Sequence, residues 1–387
     1  MPEVKSIIGE YGLLVDSLIK RSPGSLSFRN GKYTAASGDE LETWKTEAKE
    51  SVLQHLSSPE ELYTGTINPV CTNRYRWDGL DVEELEWQLP IGPETKALFL
   101  KPSGAKKKLP GILALHDHGG KKFWGYKKIA RGRDDPPGLM TQHHRDYYDG
   151  LCWANELAKE GFAVLVHDTF PFASRRVRIA DVNFGVRRGY SPDDPVTDKE
   201  IETYNDWAIG HEHDMAKSLI AAGTTWPGVT FLEDRTALDI LSARGDVDET
   251  RLGCGGLSGG GMRSVFLAGL DERIKVSFTA GFMTTWKDFS LYSGWTHTWM
   301  TFVPGLPGKL DFPEILGIRV PLPTLVLNNR EDPLYTLEGM IDADRVLSDV
   351  FTKAGAPDRY RHSLYPGKHK FDREMQHEAF SWLKRWL

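Results

Sequence analysis

Apolar residues are distributed in two different ways along the chain, and the change falls near residue 84. Beyond it, short apolar runs alternate with longer stretches in which apolar residues recur at helical spacing. The short runs predict strands at 85–89, 96–100, 111–115, 163–167, 252–257, 276–280, 324–327 and 360–365. The longer stretches predict helices near 147–160, 212–222, 234–243, 260–270, 336–354 and 371–387. Buried strands that alternate with helices indicate an α/β fold, with a mostly parallel central sheet and helices on both faces.

The pattern of the first 80 residues predicts an accessory segment made of helices. Two helical stretches are expected, at 4–20 and 40–56. Apolar residues of the second recur at helical spacing, and they are Leu41, Trp44, Ala48, Val52 and Leu56. No cluster of catalytic residue types is visible in this part. We therefore interpret 1–80 as an N-terminal helical segment, either a layer on its own chain or a contact in a homo-oligomer, and 81–387 as the catalytic domain.

Net charge, the length of apolar runs and the number of cysteines limit the kinds of partner that this protein is expected to bind. The net charge is −6, whereas a general nucleic-acid binder carries a basic excess. No apolar run approaches the roughly 20 residues that a membrane-spanning helix needs. The three cysteines are odd in number and widely spaced, so neither a disulfide framework nor a CxxC metal pair is indicated. These features predict a soluble, cytoplasmic protein with a small-molecule substrate and with neither nucleic acid nor a membrane as partner.

The strongest local motif is Gly-Leu-Ser-Gly-Gly at 256–260. It follows the predicted strand 252–257 and leads into a predicted helix, which is the context of a G-x-S-x-G nucleophile elbow. In such an elbow the serine occupies a strained turn, and small neighbours let strand and helix approach closely. The N–H groups at the start of the helix favour a developing oxyanion. Ser258 is therefore the candidate nucleophile.

A serine nucleophile needs a base, and the base needs a carboxylate that holds its tautomer. Among the twelve histidines, His369 lies in the loop between the last predicted strand and the last predicted helix. Asp332 follows the predicted strand 324–327, with Glu331 beside it as a competing carboxylate. Both loops leave the carboxyl ends of strands, so in a parallel sheet they lie at the edge where the elbow lies. The order serine, acid, histidine is that of α/β-hydrolases.

An oxyanion hole requires two N–H donors. The residue after the nucleophile supplies one, which assigns the N–H of Gly259. The second is expected from the loop after an early strand, and the sequence His-Asp-His-Gly-Gly at 116–120 follows the predicted strand 111–115. We favour the N–H of His118 as the second donor, with Gly119 as the alternative.

From about residue 84 onward the chain resembles an α/β-hydrolase of the dienelactone-hydrolase and acetyl-xylan-esterase-like group. The resemblance covers about 300 of the 387 residues, and the segments that carry it are 116–120, 256–260, 330–333 and 366–371. The resemblance implies a carboxylic ester hydrolase that forms an acyl-enzyme on a small ester. Asp117 departs from the pattern, because many relatives have glycine there. Dienelactone hydrolase itself uses cysteine as nucleophile, so its substrate is not carried over.

Other classes of function stay open beside the esterase. They are a peptidase or a carbon–carbon bond hydrolase on the same triad, and a catalytically silent binding protein on this fold. No cofactor or metal is expected. His211 and His213 would point about 200° apart on a helix, and neither 116–118 nor 211–213 has a common zinc spacing.

Residues 281–313 form an aromatic-rich stretch between two predicted strands. A long insertion at the catalytic edge is typical of a lid or a pocket wall, and plain core packing is the alternative. As a wall, the stretch would supply substrate contacts, which are Trp286, Trp295, His297 and Trp299.

Overall fold

The computed structural model describes residues 6–20, 38–133 and 137–387. Nine strands of these residues form one sheet in the order β1-β2-β3-β5-β4-β6-β7-β8-β9. The strands are β1 (Val70–Trp77), β2 (Leu80–Trp87), β3 (Thr95–Pro102), β4 (Leu109–Leu115), β5 (Ala163–His167), β6 (Val247–Leu257), β7 (Ile274–Ala280), β8 (Thr324–Asn329) and β9 (Tyr360–Tyr365). The pairs from β5-β4 to β8-β9 are parallel, and the pairs that join β1, β2, β3 and β5 are antiparallel. The sheet is thus mostly parallel, as predicted.

Helices cover both faces of the sheet. They are α1 (Gly12–Lys20), α2 (Gly38–Leu56), α3 (Gly138–Tyr148), α4 (Trp153–Lys159), α5 (Phe184–Arg187), α6 (Asp198–Ala221), α7 (Trp226–Ser242), α8 (Gly259–Leu270), α9 (Trp286–Asp288), α10 (Phe312–Gly317), α11 (Leu337–Lys353) and α12 (Arg373–Trp386). Successive side chains of a strand point to opposite faces of the sheet, so one strand contributes to two cores. Leu98 and Leu100 of β3 belong to the core that contains residues of α4 and α12. Phe99 belongs to the opposite core, with α2, α7, α8, α10 and α11. Among the described residues, no helix combines the length and apolar character needed to cross a membrane.

The structure differs from the sequence prediction where apolar periodicity is weak. Strand β1 was not predicted, because it is an edge strand whose side chains are largely exposed and polar. The helix expected at 147–160 is two helices, since α3 ends at Tyr148 and Asp149 takes a left-handed φ of 56° before α4 begins. Helix α6 begins at Asp198, fourteen residues before the predicted start.

The N-terminal 80 residues are only partly helical. Strand β1 lies within them, and the β1–β2 hairpin crosses the boundary expected at residue 80. The expected start of the first helix, at 4–5, lies outside the described residues. Helix α2 packs on α7, α8 and α10 of its own chain and buries one face, made of Trp44, Ala48, Val52 and Leu56. The apolar face of α2 is therefore used within the chain, and a subunit contact through it finds no support.

Candidate active site

Ser258 lies at the sharp turn between β6 and α8. Its φ of 59° and ψ of −118° are rare for a residue with a side chain. The turn depends on the neighbouring glycines, because a Cβ on Gly256 or Gly260 would overlap the carbonyl oxygen of Leu115 in β4. The Ser258 N–H donates to the Ala280 carbonyl at 2.8 Å, which fastens the turn to β7. The local sequence thus forces the serine into a tight turn at the carboxyl end of the sheet.

His369 and Asp332 are joined by a short hydrogen bond. His369 Nδ1 lies 2.6 Å from Asp332 Oδ2, and Asp332 is buried. An ionised carboxylate only accepts, so Nδ1 carries the proton and Nε2 is left as the basic nitrogen. The second carboxylate oxygen accepts the N–H of Leu334 at 2.9 Å. Because both oxygens are held, the carboxylate fixes the orientation of the imidazole.

Glu331, the competing carboxylate, has a different contact. Its side chain accepts the N–H of Gly367, and its own N–H donates to the Gly367 carbonyl at 3.2 Å. The preceding Arg330 N–H donates to the Tyr365 carbonyl at 2.7 Å. These bonds tie the loop after β8 to the loop after β9. Of the two neighbouring acids, Asp332 contacts His369 and Glu331 joins the loops.

The two expected oxyanion donors lie side by side. A Cβ built on Gly259 would come within 3.0 Å of the backbone nitrogen of His118. Gly259 is the first residue of α8, so its N–H has no acceptor within the helix. Both residues line the cavity that contains Ser258, and Gly119, the alternative donor, lines it as well.

Asp117, which stands where the resemblance expects glycine, anchors this loop. Its buried carboxylate accepts a hydrogen bond from the Tyr148 hydroxyl, and His143 Nε2 lies 3.2 Å from Oδ1. Burial alone would raise the pKa of Asp117, but His143 and Lys128 outweigh it and hold that pKa well below its usual range. The side chain is therefore an ionised anchor, which explains how the loop accommodates a residue other than glycine.

The His118 imidazole belongs to a buried charged cluster that was not predicted. Its Nδ1 accepts the Gly120 N–H at 3.0 Å, so Nε2 carries the proton and donates to Glu212 Oε1 at 2.7 Å. Lys122 binds the same carboxylate oxygen. Burial, reinforced by Lys122, lowers the pKa of His118. Burial would raise the pKa of Glu212, but His118 and Lys122 overcome it and lower that pKa to about 2. His118 is thus a neutral donor and not a second base.

The His-Glu-His string at 211–213 is the sequence signal for this cluster, although its spacing argues against metal binding. The two histidines diverge: His211 stacks on Trp207 with ring centroids 4.7 Å apart, and His213 Nδ1 accepts the Trp299 indole N–H at 2.8 Å. In the described ranges, no three His, Cys, Asp or Glu side chains are grouped so that they could hold a metal ion.

A cavity of about 510 Å³ contains Ser258 and His369. Three of the four predicted contacts from 281–313 line it, and they are Trp295, His297 and Trp299. The prediction for Trp286 is wrong, because this side chain is buried in the core and packs on Phe312 at a centroid distance of 4.0 Å. The aromatic stretch is therefore core at its start and cavity wall in its middle.

His297 connects that wall to the loop of the candidate acid. Burial lowers the pKa of His297 to about 4, so its ring is neutral and Nε2–H donates to the Leu334 carbonyl at 2.7 Å. The Leu334 N–H in turn donates to Asp332. His297 and Asp332 thus bind the two backbone polar groups of the same residue, and Asp332 in turn binds His369.

Comparison with solved structures identifies the fold of the protein. A provisionally assigned acetyl xylan esterase from Bacteroides fragilis NCTC 9343 aligns with a TM-score of 0.65 and 16% identity, over 91% of this chain and 81% of that chain. A glucuronoyl esterase from Solibacter usitatus aligns with a TM-score of 0.60 and 14% identity, over 90% and 94% of the two chains. At such identities the likeness establishes the fold, and the chain is an α/β-hydrolase-fold protein.

A relative is also found by sequence. It is YtaP of Bacillus subtilis (strain 168), which is provisionally named a hydrolase. The two are 26% identical over 310 residues, which make up 79% of this chain and 88% of YtaP. No protein-family model matches the chain.

Proposed function

We propose that this protein is a serine carboxylic-ester hydrolase that cleaves a small ester through an acyl-enzyme intermediate. The observation that carries the proposal is the 2.6 Å bond between His369 and buried Asp332, together with a cavity that both His369 and Ser258 on its strained turn line. This combination supplies a nucleophile, a base and the acid that orients the base. The names of the esterases that share the fold agree with ester chemistry.

In the proposed reaction, the Ser258 hydroxyl attacks the ester carbonyl while His369 Nε2 takes its proton. Asp332 keeps the proton on Nδ1 and stabilises the imidazolium that forms. The tetrahedral oxyanion accepts the N–H groups of Gly259 and His118. Its collapse breaks the ester C–O bond, and the alcohol leaves with the proton from Nε2. Water then gives a proton to the same nitrogen and attacks the acyl-enzyme. The second tetrahedral intermediate collapses, the bond between the acyl carbon and the Ser258 oxygen breaks, Nε2 returns the proton to that oxygen, and the acid is released.

The cavity supports a compact substrate. Its volume of about 510 Å³ lies within the range of small-molecule sites, and the stretch 281–313 bounds it. We therefore expect activity on short acyl or alkyl esters and little activity on long-chain lipids or folded proteins. A panel of acetyl esters, sugar acetates and methyl esters, with a long-chain triglyceride as contrast, tests this. Efficient triglyceride cleavage would contradict the size argument and leave the proposed triad untouched.

Covalent labelling tests the nucleophile. A fluorophosphonate probe should label the protein, and Ser258→Ala should abolish labelling. Ser264→Ala is a matched control on helix α8, which follows Ser258, because the Ser264 side chain is fully buried and its hydroxyl donates to the Gly261 carbonyl at 2.8 Å. That variant should be labelled normally if it is folded. Labelling that persists in Ser258→Ala would overturn the proposal.

A further inference from the structure

Lys128 is a fully buried cation behind the loop 116–120. Its ammonium donates to two backbone carbonyls, that of Asp117 at 2.8 Å and that of His118 at 2.7 Å. Taking an ammonium out of water costs stability even when it is hydrogen-bonded. Because burial of this lysine costs stability and the lysine binds the backbone next to a candidate active site, a functional role of the side chain is indicated.

The Asp117 carbonyl and the His118 N–H belong to the same peptide group. In a trans peptide these two groups point in opposite directions, so whatever holds the carbonyl also aims the N–H. Lys128 Nζ and His116 Nδ1 both lie within hydrogen-bond distance of the Asp117 oxygen, at 2.8 Å and 2.9 Å. Burial holds the pKa of His116 well below its usual range, so the ring is neutral and Nδ1–H donates. The peptide plane is thus fixed from the side opposite its N–H.

We propose that Lys128 is an electrostatic positioning residue of the oxyanion hole, which aims the His118 N–H and stabilises the negative charge of the tetrahedral intermediate. The inference rests on the function proposed above. A cation bonded to an amide oxygen polarises the amide, which makes its N–H a stronger donor. Inside the protein the charge itself is only weakly screened. Because the oxyanion exists only after attack, the benefit appears in kcat and not in substrate binding.

Several charges surround the Lys128 ammonium. The titratable groups around it are His116, Asp117, His118, Lys122, Asp168 and Arg263. Burial outweighs the attraction of the two aspartates and lowers the pKa of Lys128 to about 7. The side chain is therefore positively charged below that pH and loses its charge above it.

The test replaces Lys128 by methionine, which keeps the length and removes the charge. Lys128→Met should lower kcat for a short acetyl ester by about 10- to 100-fold and change KM by less than about threefold. Lys127→Met is the matched control, since it makes the same change one residue earlier at an exposed position. It should leave kcat within about twofold.

A pair of ketones separates this role from a merely structural one. A short alkyl trifluoromethyl ketone accepts the Ser258 oxygen at its carbonyl carbon, His369 takes the proton, and the carbonyl oxygen becomes an oxyanion. The matching methyl ketone reports binding without the oxyanion. Lys128→Met should weaken inhibition by the fluoroketone by the same factor as it lowers kcat, and leave the affinity for the methyl ketone within about threefold.

Folding of each variant is checked by thermal melting, and Lys128→Gln serves as a second uncharged variant. Unchanged kcat and fluoroketone affinity in a folded variant would overturn the inference, as would equal losses for both ketones. If neither variant folds, Lys128 is a requirement of the core, and the inference is likewise overturned. A wild-type protein that neither hydrolyses esters nor binds the fluoroketone would instead refute the proposed function.

Discussion

Replacing Asp332 by asparagine gives a sharp test of the proposed acid. The asparagine carbonyl can still accept the Leu334 N–H, so the loop should keep its conformation. Its amide NH₂ would then face His369 Nδ1, 2.6 Å away in the unmodified protein. Because the asparagine NH₂ is a donor, His369 Nδ1 has to act as the acceptor, and the imidazole proton moves to Nε2. A protonated Nε2 cannot take the proton of Ser258.

The expected loss of kcat is on the order of 10⁴-fold, as for the same change in serine proteases. That factor corresponds to about 5.4 kcal/mol, at 1.36 kcal/mol for each tenfold change. Loss of a hydrogen bond to a charged group accounts for only about 1.5–3 kcal/mol. The wrong tautomer and the missing negative charge beside the imidazolium supply the remainder.

Steady-state hydrolysis of p-nitrophenyl acetate measures the effect, with circular dichroism as the check on folding. Glu331→Gln is the control, because it changes the neighbouring carboxylate, which contacts the Gly367 N–H. We expect that variant to lose less than about tenfold in kcat, since it weakens a loop contact comparable to one hydrogen bond. A larger loss in Glu331→Gln than in Asp332→Asn would refute the assignment of the acid.

Three further predictions concern the cavity wall, the core and the buried lysine. Trp299→Ala should raise KM more than it lowers kcat, because a wall residue contributes mostly uniform binding, and a KM unchanged across the ester panel would contradict this. Thermal or urea unfolding should show that Trp286→Ala lowers the free energy of unfolding by about 3–5 kcal/mol. Trp295→Ala, at a position 76% exposed, should change it by less than about 0.5 kcal/mol. Equal losses in the two variants would argue against the core position of Trp286. The ratio of wild-type kcat to that of Lys128→Met should be largest below about pH 7, and it should fall at higher pH because Lys128 loses its proton. A ratio that stays constant from pH 6 to 9 would count against a charge effect.

The sequence by itself determined most strands of the sheet and the segments at the carboxyl ends of its parallel strands. Strand β5 has its predicted bounds, Ala163–His167, because a buried strand of a parallel sheet reads as a compact apolar run. Strand β9 also has its predicted bounds, Tyr360–Tyr365, although its middle residues are polar. The elbow at 256–260 was also predicted, because the motif itself is local, although the backbone that its glycines allow to approach is that of Leu115 in β4. The loops of Asp332 and His369 follow from the same strand pattern, because parallel strands end at one edge. What periodicity could not detect was β1, whose polar edge position leaves no apolar run.

The tertiary structure alone decided which side chains meet. The pattern of apolar residues does not distinguish Trp286 from Trp295. In the structure Trp286 is buried in the core and Trp295 is exposed at the cavity, because burial depends on which residues pack against each side chain. Glu212 reaches His118 from a helix 94 residues away, and no local spacing encodes that contact. Lys128 looks like an ordinary surface lysine in the sequence. Its place behind the Asp117 carbonyl arises only when the segment after β4 folds back on the loop 116–120, because burial depends on what surrounds a side chain in the folded chain.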